Sequence, residues 1–350
     1  MLFFSFHSQA LLSSWSSNLP EESVFKVSAE MRERVDFWVK IYSHYTTTQG
    51  VFHLTDQPQK ILGEIDLTDI QKNTSLTAVQ KKKMIEARVR TTKLQLLKKH
   101  KISNAGSVRL QMGLKDRMRK ALYIAGKYLP DMEKIFKREG LPIELTRLVF
   151  VESSFNVNAK SKVGASGLWQ IMPSVARPHG YIKPHYDKRN HPMYATRLAA
   201  RIMRDNFRGL KSWPLAVTAY NHGFTGVKRM MRLSESVRLE DMIASRKTTR
   251  TWGFASKNFY ACFLAVLEVE RNAKELFGDD LIKAQKLAFK EYKLPEKTAK
   301  VEVLKWFDGS VTRLKQMNPH LNWASIRKNN RLPAGIPLIV PEKNFAQIEN

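Results

Sequence analysis

Apolar residues between positions 121 and 270 recur at intervals of three and four, the spacing of a buried helical stripe. Glycine and proline interrupt this pattern often, at Gly140, Pro142, Gly164, Gly167, Pro173, Pro178, Pro184, Pro192, Pro214 and Gly223. Alternation of apolar and polar residues, which is typical of strands with one exposed face, is almost absent. The segment is therefore predicted to form a bundle of short helices joined by ordered loops.

The amino-terminal part shows two further patterns. Residues 21 to about 60 carry apolar side chains at mixed spacing, which predicts one amphipathic helix followed by an extended segment at Val51–Leu54. Between 81 and 120 there are 14 Lys or Arg and two acids, interleaved with apolar residues, which indicates a basic amphipathic helical region. The basic face is either solvated and packed on the next domain or a surface that binds anions.

The carboxy-terminal part is predicted to be a separate small module. A basic linker around 285–299 precedes it. Helical spacing then recurs at Val311–Met317, and a turn at Leu332–Gly335 leads into a short apolar strand.

The composition adds a strong charge bias. Fifty-nine Lys and Arg against 32 Asp and Glu give a net charge of +27, which favours partners such as nucleic acid, anionic lipid or an acidic cell-wall polymer. No run approaches the roughly 18 apolar residues that a membrane-spanning helix needs, so an integral membrane protein is not expected. Residues 1–20 are either a truncated export signal or a disordered tail. Cys262 lies in an apolar run and is expected to be a buried, unreactive thiol.

The segment after Pro142 places a carboxylate on an apolar helix face. Pro142 suits the first turn of a helix. Glu152 lies four residues past Leu148 and three past Val149, on the stripe that these two residues share. Desolvation there disfavours the ionised form and is expected to raise the pKa of Glu152, as a general acid at neutral pH requires. A buried salt bridge with Arg147 or another base is the structural alternative.

Side chains suited to a sugar follow along the chain. They are Trp169 and Gln170, after a polar loop and a small-residue turn, and Tyr220 and Asn221, at a helix end before a glycine cap. A cleft lined by amides, a hydroxyl and an aromatic platform meets the needs of a carbohydrate site. No cofactor or metal is expected, because His179, His185 and His191 recur every six residues without a second ligand pattern.

These residues together resemble the signature of the goose-lysozyme-like lytic transglycosylases, and are most similar to the membrane-bound type D group. The matching motifs are Glu152-Ser153, Ser161, Gly164-Ala165-x-Gly167-Leu168-x-Gln170-x-Met172-Pro173, Tyr186-Asp187-x-Arg189, Ala219-Tyr220-Asn221-x-Gly223 and Phe254-Ala255-Ser256-x-Asn258-Phe259-Tyr260. They occur in order over roughly 142–270. Val157, Trp169 and His222 depart from the usual pattern, which puts fine substrate preference in doubt.

The resemblance implies cleavage of the bond between N-acetylmuramic acid and N-acetylglucosamine without water, leaving a 1,6-anhydro end. Most glycosidases use two carboxylates, but the matched motifs supply only Glu152, which is expected to serve as acid and then as base. The resemblance also implies substrate-binding roles for Ser161, Gln170, Tyr220, Asn221 and Tyr260. Ser161 would orient the acetamido group, whereas Tyr260 is as well explained by a place in the helical core.

The expected fold is mainly α. It consists of a basic helical amino-terminal region (21–125), a lysozyme-like catalytic domain (126–280) and a small α+β module (298–342) that loosely resembles LysM. The module either binds glycan or is a structural appendix. The expected partners are peptidoglycan strands and an anionic cell-wall surface, with peripheral membrane association open and no nucleic acid. The expected location is the periplasm or cell envelope, after export.

Three rival functions remain open at this point. The charge alone fits a nucleic-acid-binding protein, but this reading predicts nothing about the motifs between 152 and 223. A catalytically silent peptidoglycan-binding protein would keep the cleft and lose the acid, yet Glu152 is present. A hydrolytic lysozyme on the same fold differs only in its product.

Overall fold

The computed structural model describes residues 23–327, 330–345 and 348, and the expected export signal or tail at 1–20 lies outside them. The chain divides into two compact units. The first comprises Met1–Leu122 and Met203–Leu281, and the second comprises Tyr123–Ile202 and Ile282–Asn350. The predicted domain boundaries at 125, 280 and 298 stay predictions.

Helices dominate the described residues. In chain order the α-helices are α1 (Ala29–Ser43), α2 (Thr68–Lys72), α3 (Ala78–Lys99), α4 (Lys115–Arg138), α5 (Leu148–Ser153), α6 (Pro173–Ala176), α7 (Pro192–Leu210), α8 (Trp213–His222), α9 (Phe224–Ser234), α10 (Leu239–Ala244), α11 (Phe254–Arg271), α12 (Ala273–Phe277), α13 (Lys300–Lys305), α14 (Val311–Met317) and α15 (Trp323–Arg327). The strands are β1 (Gln49–Leu54), β2 (Ile61–Asp66), β3 (Val108–Met112), β4 (Ile182–Lys183), β5 (Tyr186–Asp187), β6 (Phe289–Lys293), β7 (Thr298–Ala299), β8 (Arg331–Leu332) and β9 (Pro337–Pro341). The prediction of a mainly helical chain with a small α+β carboxy-terminal module is confirmed.

The first unit is centred on α11, which is buried along most of its length. Helices α1 and α8 pack against it. Arg32 of α1 forms a bidentate ion pair with Glu268 of α11, with N–O distances of 2.7 and 2.9 Å. Arg34 donates to Asn258 Oδ1 at 2.9 Å, so two arginines near the start of α1 anchor this helix to α11. Cys262 is buried in α11, as the sequence predicted.

A three-stranded antiparallel sheet completes this unit, in the order β2-β1-β3. The predicted extended segment at Val51–Leu54 lies in β1. Helix α3 begins at a capping box between Thr77 and Gln80 and packs on the sheet through Leu96. The continuous helical region predicted for 81–120 is wrong at 108–112, because Val108–Met112 alternates apolar and basic or amide residues and pairs with β1.

The second unit contains the carboxy-terminal module, which has its own apolar core. It has two antiparallel strand pairs, β6 with β9 and β7 with β8, and helices α13, α14 and α15 occur in the sequence between β7 and β8. The predicted helix at Val311–Met317 and the final strand are confirmed. The linker predicted at 285–299 is wrong, since Phe289–Lys293 forms a strand. Its charged residues occupy exposed positions, while Tyr292 packs on Trp306 at a ring distance of 5.5 Å.

Candidate active site

Glu152 lies near the end of the short helix α5. A 3₁₀ turn at Ile143–Arg147 precedes the helix, so the helix predicted after Pro142 is split into two segments. Ser154 and Phe155 end it with left-handed backbone angles, φ 50° and 56°. Non-glycine residues seldom adopt this conformation, and such strain is found most often at functional sites. Phe155 is fully buried, which fixes the turn that follows Glu152.

The carboxyl group of Glu152 is half-buried and unpaired. Among the described residues it has no hydrogen bond or ion pair with another side chain. Burial raises its pKa from an ordinary 4.5 to about 8, so the acid is protonated at neutral pH. The structural alternative, a salt bridge to Arg147, finds no support, because Arg147 pairs with Glu133 and also donates to Thr146 Oγ1 at 3.1 Å.

The loop after Glu152 is held by its own backbone and by Ser161. The Ser161 amide donates to Ala165 O, and the Ser161 hydroxyl accepts from the Ala165 amide, both at 2.9 Å. The hydroxyl proton is not used by this contact and can be donated outward. Ser161 is only partly buried. Its hydroxyl is therefore fixed in position while its proton stays available to a ligand.

Gln170 braces the same loop. Its amide nitrogen donates to Gly167 O at 2.8 Å and to Ala159 O at 3.2 Å, and its backbone is left-handed, with φ 45°. The amide oxygen has no partner among the described residues, and the side chain is partly exposed. Gln170 can therefore accept one hydrogen bond from a sugar hydroxyl, but its amide protons serve the loop.

Arg189 ties the loop to the chain that follows. Its guanidinium pairs with Asp187 at 2.7 Å and donates to Gly164 O at 2.8 Å and Ile171 O at 2.9 Å. The side chain is only 8% exposed. Gly167 is required beside it, because a Cβ at this position would lie 2.0 Å from Arg189 O. The sequence motifs contained Arg189, yet its role as the brace was not predicted. The Asp-x-Arg spacing of Asp187 and Arg189 is the signal that could have suggested it.

The aromatic platform predicted at Trp169 is wrong. The indole is fully buried, stacks on Phe136 at a ring distance of 5.6 Å and donates from Nε1 to Thr196 Oγ1 at 2.8 Å. The indole ring belongs to the hydrophobic core, because Phe136 of α4 and Thr196 of α7 enclose it. A sugar cannot stack on it.

The remaining predicted residues belong to the first unit. Tyr220 is partly buried and Asn221 is exposed, both at the end of α8, where Gly223 forms the predicted cap. Tyr260 lies in α11, is 3% exposed and has a pKa raised by burial. This burial favours the core alternative for Tyr260. Glu152, Ser161 and Gln170 all lie in the second unit, where Ser153 Oγ, next to Glu152, donates to Leu168 O at 2.8 Å. That the three residues form one site, and that the first-unit residues belong to it, stays a prediction.

Comparison with known proteins identifies relatives of this segment. Residues 121–242 match the family described as "Transglycosylase SLT domain". The chain is 30% identical over 223 residues to "Membrane-bound lytic murein transglycosylase D" of Escherichia coli (strain K12), which covers 61% of this chain and 46% of that protein. It is 34% identical over 121 residues to "Putative tributyltin chloride resistance protein" of Alteromonas sp. (strain M-1), with 33% and 56% covered. The chain spans about half the length of these curated relatives.

Two solved structures share a more distant similarity. Lytic transglycosylase Slt of Pseudomonas aeruginosa, an inactive mutant, is 21% identical with a TM-score of 0.32, covering 43% of this chain and 25% of that one. The 70 kDa soluble lytic transglycosylase SLT70 of Escherichia coli is 18% identical with a TM-score of 0.32, covering 41% and 24%. The matched residues 121–242 include Glu152, Ser161, Gln170, Tyr220 and Asn221, so this segment of the chain is similar to a transglycosylase SLT domain.

Proposed function

We propose that this chain is a peptidoglycan lytic transglycosylase. It cleaves the β-1,4 bond between N-acetylmuramic acid and N-acetylglucosamine and leaves a 1,6-anhydro end. The observation that carries the proposal is the unpaired, half-buried carboxyl of Glu152, whose pKa of about 8 keeps it protonated inside an SLT domain. The similarity to a protein named as a murein transglycosylase supports the substrate class.

The proposed reaction uses Glu152 twice. The protonated carboxyl first donates its proton to the glycosidic oxygen, and the bond to the muramic acid carbon breaks. The substrate's own acetamido oxygen stabilises the resulting oxocarbenium-like centre. Ionised Glu152 then takes the proton from the 6-hydroxyl, whose oxygen attacks the same carbon. The proton count closes, because the carboxyl ends the cycle protonated and no water is consumed.

The neighbouring groups of the loop suit supporting roles in this scheme. Ser161 offers a fixed hydroxyl to orient the acetamido group, and the free amide oxygen of Gln170 offers an acceptor to a sugar hydroxyl. Tyr220 and Asn221 are proposed to hold substrate from the first unit. Tyr260 is retained only as a supporting core residue. No metal or cofactor takes part in the proposed reaction.

Product mass tests this proposal against a hydrolytic lysozyme. Digestion of purified sacculi is expected to release muropeptides with anhydro ends, which are one water, about 18 Da, lighter than hydrolysed ends. A Ser161→Ala variant is expected to be slowed but active, since it loses orientation and keeps the acid. Thr248→Ala, which removes an exposed hydroxyl in the first unit, is the matched control. Free reducing ends as the main product would show that the chain is a hydrolytic lysozyme. Release of neither product would support the alternative of a catalytically silent peptidoglycan-binding protein.

The charge and the relatives also suggest a location. We propose export to the cell envelope, where the net charge of +27 favours an anionic wall or membrane surface. In the part of the chain that the structure describes, no helix is long and apolar enough to cross a bilayer. A relative is named as membrane-bound, so peripheral association is part of the proposal. Nucleic acid is not a proposed partner.

Helix α3 carries the surface best suited to such contact. Its exposed cations, named here the α3 basic face, are Lys82, Lys83, Arg90, Lys98 and Lys99, and exposed Glu86 lies 3.9 Å from Lys82. The opposite side packs on the sheet. Lys81 is different, because it is partly buried and donates to Gln71 O at 2.9 Å. A test of the face should therefore spare Lys81.

Neutralising Lys82 and Lys83 to glutamine is expected to weaken sacculus binding several-fold at low salt and hardly at all at high salt. The reason is that screening shortens from about 30 Å at 0.01 M to about 3 Å at 1 M. Cosedimentation with sacculi across this range measures the effect. Lys137→Gln with Lys274→Gln, which removes the same charge from exposed positions elsewhere, is the control. If both double variants bound sacculi equally at every salt concentration, the α3 basic face would be a solvated surface with no role in wall binding.

A further inference from the structure

A cavity lies within the second unit, between residues 127–193 and the carboxy-terminal module. It has a volume of about 720 Å³, which is within the size range of sites for small ligands. Its walls come from α4, the loop after Glu152, the start of α7, residues 286–289, α14 and β9. The module is fastened beside it by backbone bonds, from Asp187 N to His320 O at 2.7 Å and from Asn322 N to His185 O at 2.8 Å.

The charges on the cavity wall have one sign. Four cations line it, Lys127, Lys286, Arg313 and Lys315, and no Asp or Glu is among its lining residues. Two of the four are neutralised locally, since Lys286 pairs with Asp131 at 2.9 Å and Arg313 pairs with Asp308. Lys127 and Lys315 have no ion pair among the described residues, although Lys315 lies 5.9 Å above the Trp323 ring. Two cations thus face the cavity without a carboxylate partner.

A buried histidine adds a second, independent feature. His191 lines the cavity and is 4% exposed. Burial lowers the pKa of its ring well below the ordinary value, so the ring is neutral. Its Nδ1 accepts from the Met193 amide at 3.2 Å, which leaves the ring proton on Nε2 as a donor. Nε2 has no hydrogen-bond partner among the described residues. A donor of this kind is suited to the oxygen of a bound ligand.

The cavity is continuous in sequence with the proposed catalytic loop. Val157 and Asn158 form part of its wall, and the next residue, Ala159, accepts the hydrogen bond from Gln170. Asn158 is therefore six residues from Glu152 and three from Ser161. Apolar side chains such as Met193 and Phe289 line the rest of the cavity. The lining combines cations, amides and apolar groups, which matches a short acidic peptide better than a bare sugar.

We propose that this cavity binds the carboxylate-bearing peptide that branches from a peptidoglycan glycan strand. This proposal rests on the proposed function, because the peptide belongs to the same peptidoglycan strand whose glycan bond this chain is proposed to cleave. Lys127 and Lys315 contact the peptide carboxylates, His191 donates to a peptide oxygen, and the apolar wall covers the peptide's aliphatic parts. The carboxy-terminal module thus completes a peptide site beside the glycan site.

Direct binding tests the proposal without requiring catalysis. The probes are the free wall tetrapeptide, with its carboxylates intact, and the same peptide with its carboxylates amidated, titrated calorimetrically into the full chain. The intact peptide is expected to bind about tenfold more tightly than the amidated one, because charge-assisted contacts to two lysines are lost on amidation. Lys127→Gln with Lys315→Gln is expected to remove this preference, whereas Lys137→Gln with Lys274→Gln retains it.

A second measurement links the site to the glycan reaction. With peptide-bearing strands as substrate, the double variant Lys127→Gln, Lys315→Gln is expected to have a KM about tenfold higher than that of the unmodified chain. With strands stripped of peptide by an amidase, the double variant and the unmodified chain are expected to have the same KM. Failure of the unmodified chain to cleave either strand would refute the proposed function and leave the titration valid. Equal binding of both peptides, or an equal effect of both lysine pairs, would refute the peptide site.

Discussion

Replacing Glu152 with glutamine is expected to lower the turnover of sacculi by about 100- to 10,000-fold, the usual cost of removing a positioned general acid. The upper part of this range is expected, because the same carboxyl is proposed to donate a proton in one step and accept one in the next. Glutamine keeps the size of the side chain but can do neither. Release of soluble muropeptides from purified sacculi measures the loss.

A matched control separates this effect from the exchange of glutamate for glutamine as such. Glu275 is an exposed glutamate in the first unit. Glu275→Gln makes the same exchange away from the site and is expected to leave turnover unchanged. If Glu152→Gln retained more than about a tenth of the original turnover, Glu152 would not be the general acid.

The pH dependence of the free energy of unfolding gives a second, independent test of Glu152→Gln. The pKa of Glu152 is raised from 4.5 to about 8 by burial, so folding favours the protonated form. This contribution to stability is fully present below pH 4.5 and is lost as the pH rises through about 8. Glutamine does not ionise. Denaturant titrations should therefore show the variant gaining stability relative to the parent between pH 4 and 9, by about 1 to 3 kcal/mol after allowance for partial exposure.

The partial burial of Glu152 could be predicted from the sequence because the evidence for it was local. A helical stripe of three- and four-residue spacing places Glu152 beside Leu148 and Val149 whatever the rest of the chain does. The left-handed turn at Ser154 and Phe155 could not be predicted in the same way, since non-glycine residues enter that conformation only when surrounding packing enforces it. Burial of Phe155 is such a tertiary effect.

The errors have a common physical origin. Trp169 follows a polar loop and was expected to be exposed, but its partners, Phe136 and Thr196, lie 33 and 27 residues away in the chain. The strand at 289–293 was predicted as part of a basic linker because three of its five residues are charged, although an edge strand carries charge on its exposed face. Arg189 stood in a matched motif, but its contacts with the Gly164 and Ile171 carbonyls join residues 25 and 18 positions apart, which the sequence could not reveal.

Truncation of Arg189 to alanine is expected to destabilise the fold by about 3 to 5 kcal/mol, the usual cost of breaking a buried ion pair by removing one partner. Asp187 would lose its cation, and the carbonyls of Gly164 and Ile171 would lose their donors. Because these carbonyls lie on both sides of Gln170, activity should fall along with stability. Urea unfolding and muropeptide release from the same preparations measure the two effects.

Two further variants decide whether the geometry of Arg189 matters or only its charge. Arg189→Lys keeps the charge but cannot reach Asp187 and two carbonyls at once, since an ammonium lacks the planar fork of donors in guanidinium. It is expected to recover less than half of the lost stability. Arg238→Ala breaks an exposed ion pair with Glu30, at 2.7 Å and with both side chains 55% exposed, and should cost far less stability than Arg189→Ala. Full rescue by lysine, or an equal cost for Arg189→Ala and Arg238→Ala, would mean that the loop carrying Ser161 and Gln170 does not depend on this brace.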